Sequence, residues 1–215
     1  MRIVVSEDKL AEALKTALEL GRGRNFKQSV ELIVVFKGVD PKSSEVKFRD
    51  FVYLPKSSGK ETKVLVIASG NLQLQAKEIG VDVLTPENLK NLSKREAKKL
   101  SMKYDVFLVQ PDLMTQVGRV LGPALGPRGK FPIPIPATAN LKALVTRYAN
   151  STRVRNKEQA WVGCRIGSED MPLEHLVENA VAVLNFIKSK YTKPLETTAK
   201  IYFKTTMGPA VEVSM

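Results

Sequence analysis

Lys63-Val64-Leu65-Val66-Ile67-Ala68 is the stretch that decides the fold. An apolar run that short, with no polar break after Lys63, predicts a strand buried on both faces. Asp105-Val106-Phe107-Leu108-Val109 has the same character. Between them lie a helical pattern from Leu72 to Ile79, a short strand from Val81 to Leu84, and a helical pattern from Pro86 to Tyr104 that splits into two pieces. Beyond them come a helix from Asp112 to Leu121 with Asp112 as its cap, a proline-rich stretch from Gly122 to Pro136, and a helix from Leu141 to Tyr148. Strand and helix in alternation predict a parallel sheet with helices on its faces.

The pattern differs on either side. Leu10, Ala13, Leu14, Ala17 and Leu18 form one helical face, which Gly21 ends. Val30 to Phe36 and Val46 to Leu54 read as strands, separated by Pro41-Lys42-Ser43-Ser44. Pro55-Lys56-Ser57-Ser58-Gly59-Lys60 reads as a linker. After residue 150 come a strand from Ala160 to Ile166, a long amphipathic helix from Pro172 to Tyr191, and a strand from Thr197 to Thr206 that Val211 to Val213 extends past a turn. Each end alone is too small to bury a good core, whereas together they supply about four strands and two helices. The fold class expected is therefore α/β: a discontinuous two-layer α+β domain from residues 1–60 and 153–215, with a three-layer Rossmann-like α/β domain, residues 61–152, inserted. Two adjacent crossings between the domains would form a hinge.

Composition narrows the function. Thirty-four Lys and Arg against 22 Asp and Glu give a net charge of +12. Such a field concentrates polyanions, and nucleic acid comes first because each neutralised phosphate releases counterions. The N-terminal Arg2-Ile3-Val4-Val5 does not read as a signal peptide, and no run approaches the ~18 apolar residues of a membrane span. One cysteine, Cys164, excludes an internal disulfide and a multi-cysteine zinc site. His175 stands alone in a helical stretch, without partners for a metal or a catalytic triad. No cofactor, no metal and no enzymatic activity are expected, and the setting expected is cytoplasmic.

Five segments are candidates for chemistry. In Gly118 to Pro136, a phosphate-binding loop would need glycine at Ala124 and Ser or Thr at Phe131, so the stretch reads as a stiff, basic, extended loop. Ser69-Gly70-Asn71 and Gly21-Arg22-Gly23-Arg24-Asn25-Phe26 both fail the three-glycine dinucleotide pattern, which argues against a nucleotide-binding enzyme. Lys94, Arg95, Lys98, Lys99 and Lys103 form a basic helix face of the solvated kind. Finally, Lys204-Thr205-Thr206-Met207-Gly208-Pro209-Ala210 interrupts the last strand with small residues able to approach ribose and phosphate closely.

Leu121 to Pro132, LGPALGPRGKFP, resembles the signature of the first-numbered protein family of the large ribosomal subunit, the family of the mobile stalk. Thr205-Thr206-Met207-Gly208-Pro209 resembles that family's C-terminal RNA-binding motif, and Phe26-Lys27-Gln28-Ser29-Val30-Glu31 its N-terminal counterpart. The likeness covers essentially the whole chain and is closer to archaeal than to bacterial members, which carry an N-terminal extension. It implies binding to folded 23S-type ribosomal RNA through the discontinuous domain, help in releasing exit-site tRNA, repression of the protein's own mRNA, and a monomer when free. By motif position it implies RNA contacts at Phe26, Ser29, Glu31, Thr206, Met207 and Gly208, with Thr205 and Pro209 in support. Lys200 joins them by two-residue alternation along the strand, and Arg128 and Lys130 are expected as secondary RNA contacts. The mechanism expected is shape readout: Thr206 and the Met207-Gly208 backbone bond ribose and phosphate, Met207 and Phe26 shield those bonds, and Lys and Arg supply attraction.

Overall fold

The inserted segment folds as the buried apolar runs require. A computed structural model describes residues 5–41, 43, 46–59, 62–136, 140–156, 158–191 and 193–214. Expectations that fall on Arg2, Ile3, Val4, Lys42, Ser44 and Lys60 lie outside these. The chain divides into two compact units, Met1–Lys60 with Asn150–Met215, and Glu61–Ala149.

The unit from Glu61 to Ala149 contains strands β3 (Val64–Ile67), β4 (Asp82–Leu84), β5 (Val106–Val109) and β6 (Pro132–Pro134), all parallel, in the order β4-β3-β5-β6. Every residue of β3 and β5 is buried, as expected of central strands covered on both faces. Leu65, Ile67, Phe107 and Val109 pack against α3 (Pro86–Lys90), α4 (Lys94–Lys103), α5 (Met114–Val120) and α6 (Gly122–Leu125) through Leu89, Ala97, Val117 and Leu125. On the other face α2 (Asn71–Glu78) and α7 (Leu141–Ala149) lie against β3. This is a three-layer α/β unit.

Two expectations here need correction. Gly122 to Pro136 is not an extended loop: it holds α6, a 3-10 turn over Gly126–Arg128 and the edge strand β6. Pro123 and Pro127 sit in the first turns of those helical pieces, where a missing N–H costs nothing. Pro132 and Pro134 are tolerated because β6 is an edge. Likewise Asp112 caps no helix; it lies in a 3-10 turn, Pro111–Leu113, and accepts a hydrogen bond from Gln110.

The other unit is a six-stranded antiparallel sheet in the order β10-β9-β1-β8-β7-β2. Its strands are β1 (Ser29–Phe36), β2 (Arg49–Tyr53), β7 (Ser151–Arg155), β8 (Trp161–Ser168), β9 (Ala199–Thr205) and β10 (Val211–Glu212). Helices α1 (Glu7–Gly21) and α8 (Leu173–Lys190) cover one face, and a short α9 (Leu195–Thr198) leads into β9. Burial alternates strictly along β1 and β9, so one face of each strand packs on the helices and the other stays accessible. Cys164 is a buried residue of this core, and burial, with the Glu31 charge nearby, pushes its thiol up to about 12. Among the described residues no helix is long and apolar enough to cross a membrane.

Candidate nucleic-acid interface

Chain ends far apart in sequence meet at one end of this sheet. β1 and β9 pair with Val30 opposite Thr205. Just beyond, the Ser29 amide donates to the Thr206 hydroxyl at 3.0 Å and the Thr206 amide donates to the Ser29 carbonyl at 3.1 Å. The two segments singled out in the sequence are therefore one continuous surface.

Beneath that surface lies a residue the sequence reading did not single out. Val30, Leu32, Val34 and Phe36 face the core, and the same alternation carries Gln28 inward, to 1% exposure. Its Nε2 donates to the Gly21 carbonyl at 2.6 Å and to Glu169 Oε2 at 3.0 Å. Its Oε1 accepts the Met207 amide proton at 3.0 Å. The Gln28 amide donates to Glu169 Oε1 at 2.8 Å, and the Gln28 carbonyl accepts from the Glu169 amide at 3.1 Å. The signal available in the sequence was a polar side chain at an inward register position, two residues before Val30.

Glycine closes the cradle from the helix side. A Cβ on Gly208 would stand 2.4 Å from Thr205 Oγ1 and 3.2 Å from the Gly21 Cα. A Cβ on Gly21 would stand 2.2 Å from the same hydroxyl. Only glycine at both places lets the end of α1 and the turn after β9 approach this closely.

The backbone donors of the turn are spent within the protein. Thr206 N–H is taken by Ser29, Met207 N–H by Gln28, and Gly208 N–H by the Thr205 carbonyl at 3.3 Å and hydroxyl at 3.1 Å. Among the described residues the Met207 and Gly208 carbonyls accept no hydrogen bond. This corrects the expectation that the Met207-Gly208 backbone would bond phosphate: phosphate oxygens need donors, and the turn offers acceptors. Phe26 and Met207 are exposed, at 51% and 58%, in the two segments that Gln28 connects. Arg22 and Arg24 are exposed nearby in the turn after α1. Lys204 donates to the Thr206 carbonyl at 3.1 Å and lies 4.0 Å from the Glu31 carboxylate.

The other named residues fall differently. Thr205 is fully buried, so its side chain supports the turn from inside. Pro209 is exposed directly after Gly208. Lys200 does share the outward face of β9 with Thr206, yet it pairs opposite Val35, roughly 17 Å along the strand from Thr205. There it forms an ion pair with Glu212 at 2.9 Å, whose hydrogen bond raises the lysine's pKa and lowers the glutamate's. Arg128 and Lys130 belong to the other unit. Arg128 donates to the Ala124 carbonyl at 3.1 Å. The Lys130 ammonium is largely buried, donating to the carbonyls of Tyr104 at 2.6 Å and Ser101 at 3.0 Å and lying 3.3 Å from Asp105. That makes Lys130 a clamp on the end of α4.

The profile of the ribosomal protein L1p/L10e family matches residues 13–209, spanning both halves of this surface and the insert between them. The chain belongs to the ribosomal protein L1p/L10e family. It is 50% identical over 206 residues to the large ribosomal subunit protein uL1 of Aeropyrum pernix, covering 95% of this chain and 94% of that one. The uL1 of Staphylothermus marinus is 46% identical, with 97% of each chain covered, and that of Archaeoglobus fulgidus 41% identical, with 98% and 100% covered. This L1p/L10e member is thus of the archaeal uL1 type: a structural, non-enzymatic protein of the large ribosomal subunit, and so cytoplasmic on the ribosome.

Proposed function

We propose that this L1p/L10e-family chain binds large-subunit 23S-type ribosomal RNA through the surface built from Phe26, Ser29, Glu31, Thr206, Met207 and Gly208. The observation that carries this reading is the joined pair of segments, Ser29 to Thr206, which together carry the unused Met207 and Gly208 carbonyls and two exposed apolar side chains, Phe26 and Met207. Acceptors of this kind take the ribose 2′-hydroxyl as donor, which is what separates RNA from DNA. Met207 and Phe26 then cover the bonds, and a hydrogen bond screened from water is stronger than an exposed one. The net charge of +12 adds a long-range attraction that carries no selectivity.

The role that follows is that of the mobile stalk protein. On the stalk it assists the release of exit-site tRNA, and it represses translation of its own mRNA by binding a similar structure there. Co-sedimentation with washed large subunits, followed by RNA footprinting, tests the placement. Protection of one compact folded region supports it. Diffuse protection, with equal affinity for duplex DNA and a steep salt dependence, would instead mark a general basic nucleic-acid binder.

A further inference from the structure

The Gln28 amide is chemically matched to its surroundings in a way that goes beyond filling space. It has one acceptor atom and two donor hydrogens. The acceptor takes the Met207 amide proton, and the two donors go to the Gly21 carbonyl and Glu169 Oε2. The partners also fix the amide's orientation, because Met207 N–H can only face an oxygen and the Gly21 carbonyl can only face the nitrogen. Glu169 holds the same residue from the other side through its second carboxylate oxygen and its own backbone N–H. Beyond Glu169, the Lys27–Asp170 ion pair at 2.5 Å and the Ser168 hydroxyl on Asp170 tie down the adjoining turn.

We propose that Gln28 and Glu169 are a positioning pair for RNA recognition. Gln28 is almost fully buried and touches no ligand; it acts through Met207. By taking the Met207 N–H it fixes the Thr206–Met207 peptide, whose own carbonyl points the opposite way and takes the Lys204 ammonium, and so it sets where the Met207 side chain and carbonyl stand. By holding Gly21 it constrains the end of α1, from which the chain runs on to Phe26. The amide, rather than a carboxylate, is the required group. A glutamate at 28 would face Glu169 with like charge and leave the Gly21 carbonyl without a donor. Once protonated it regains one donor and approaches the shape of glutamine. The inference rests on the proposed RNA-binding reading.

The test compares wild type with Q28E, E169A, M207A and the double variant Q28E/E169Q. Filter binding to an in vitro transcript of archaeal large-subunit ribosomal RNA is measured from pH 5.5 to 8.5, and thermal unfolding is followed in parallel. The expected result is that Q28E binds near wild type at the acid end and weakens by about tenfold towards pH 8.5, while wild type stays flat. Q28E/E169Q removes the like charge but still leaves the Gly21 carbonyl without its donor, so it regains only part of the affinity at pH 8.5. E169A, at a half-buried position, weakens binding about threefold or more at every pH, and this holds the test open should Q28E not fold. A folded Q28E and E169A that both bind like wild type across the range, alongside an M207A that is impaired, would overturn the positioning role alone. An M207A that binds like wild type would overturn the underlying RNA-binding reading.

Discussion

Gln28 Oε1 accepts the Met207 amide proton at 3.0 Å across 179 residues of sequence. That bond, with the two between Ser29 and Thr206, joins the two segments proposed to bind RNA. The fold supplies the rest: β1 and β9 are neighbours in one sheet, and the end of α1 is pressed on the turn by Gly21 and Gly208.

Gly208→Ala should therefore damage both stability and recognition. Its Cβ meets the Gly21 backbone as well as a side chain, so relief requires backbone movement. A loss of about 1–3 kcal/mol in denaturant unfolding is expected, together with weakened RNA binding at temperatures where the protein is folded.

Asn179→Ala should act on stability alone. Asn179 is fully buried in α8 and makes three hydrogen bonds, accepting from the Lys56 amide and donating to the carbonyls of Lys56 and Ile166. Truncation strands all three, for a cost of about 3 kcal/mol or more by chemical denaturation. RNA affinity of the folded fraction should stay within about twofold of wild type.

Lys130→Met separates a structural role from an RNA contact. The ammonium's carbonyl partners lose their donor, which predicts a loss of about 1–3 kcal/mol in stability. A protein that keeps its stability but loses RNA affinity would show that Lys130 is a ligand-binding residue after all.

The inserted unit also predicts a pH effect. The Tyr104 hydroxyl donates to Asp82 at 2.5 Å, and this bond, helped by Lys103, holds the Asp82 carboxyl below its ordinary value. A carboxyl lowered by folding stabilises the protein above its unfolded value, near pH 4, and that contribution is lost as pH falls through the folded value. In Tyr104→Phe, the Asp82 titration followed by carboxyl NMR should move up, with little change in the acid-unfolding profile. The Asp82 carboxylate is 60% exposed, so the effect on stability is small.

What the sequence made legible was what periodicity and motif carry. The buried runs Val64–Ile67 and Val106–Val109 announced a parallel sheet, and the faces of α1 and α8 announced a two-layer unit around them. Strand β7, Ser-Thr-Arg-Val-Arg, was not expected, because its outward face carries Arg153 and Arg155 and only Thr152 and Val154 are buried. The helical turns inside Gly122–Arg128 were hidden by prolines, which read as breakers yet sit where a helix begins. Gln28 and Glu169 were missed for a different reason. Their importance lies in partners 141 residues apart, a relation that no local pattern encodes.

The central claim is that recognition resides in the joined segments and that the basic surface supplies only attraction. Filter binding to large-subunit ribosomal RNA of Met207→Ala beside Lys98→Ala, at one salt concentration, tests it most directly. Met207→Ala should lose about tenfold or more in affinity, and Lys98→Ala less than about threefold. Equal losses in the two variants would contradict the account.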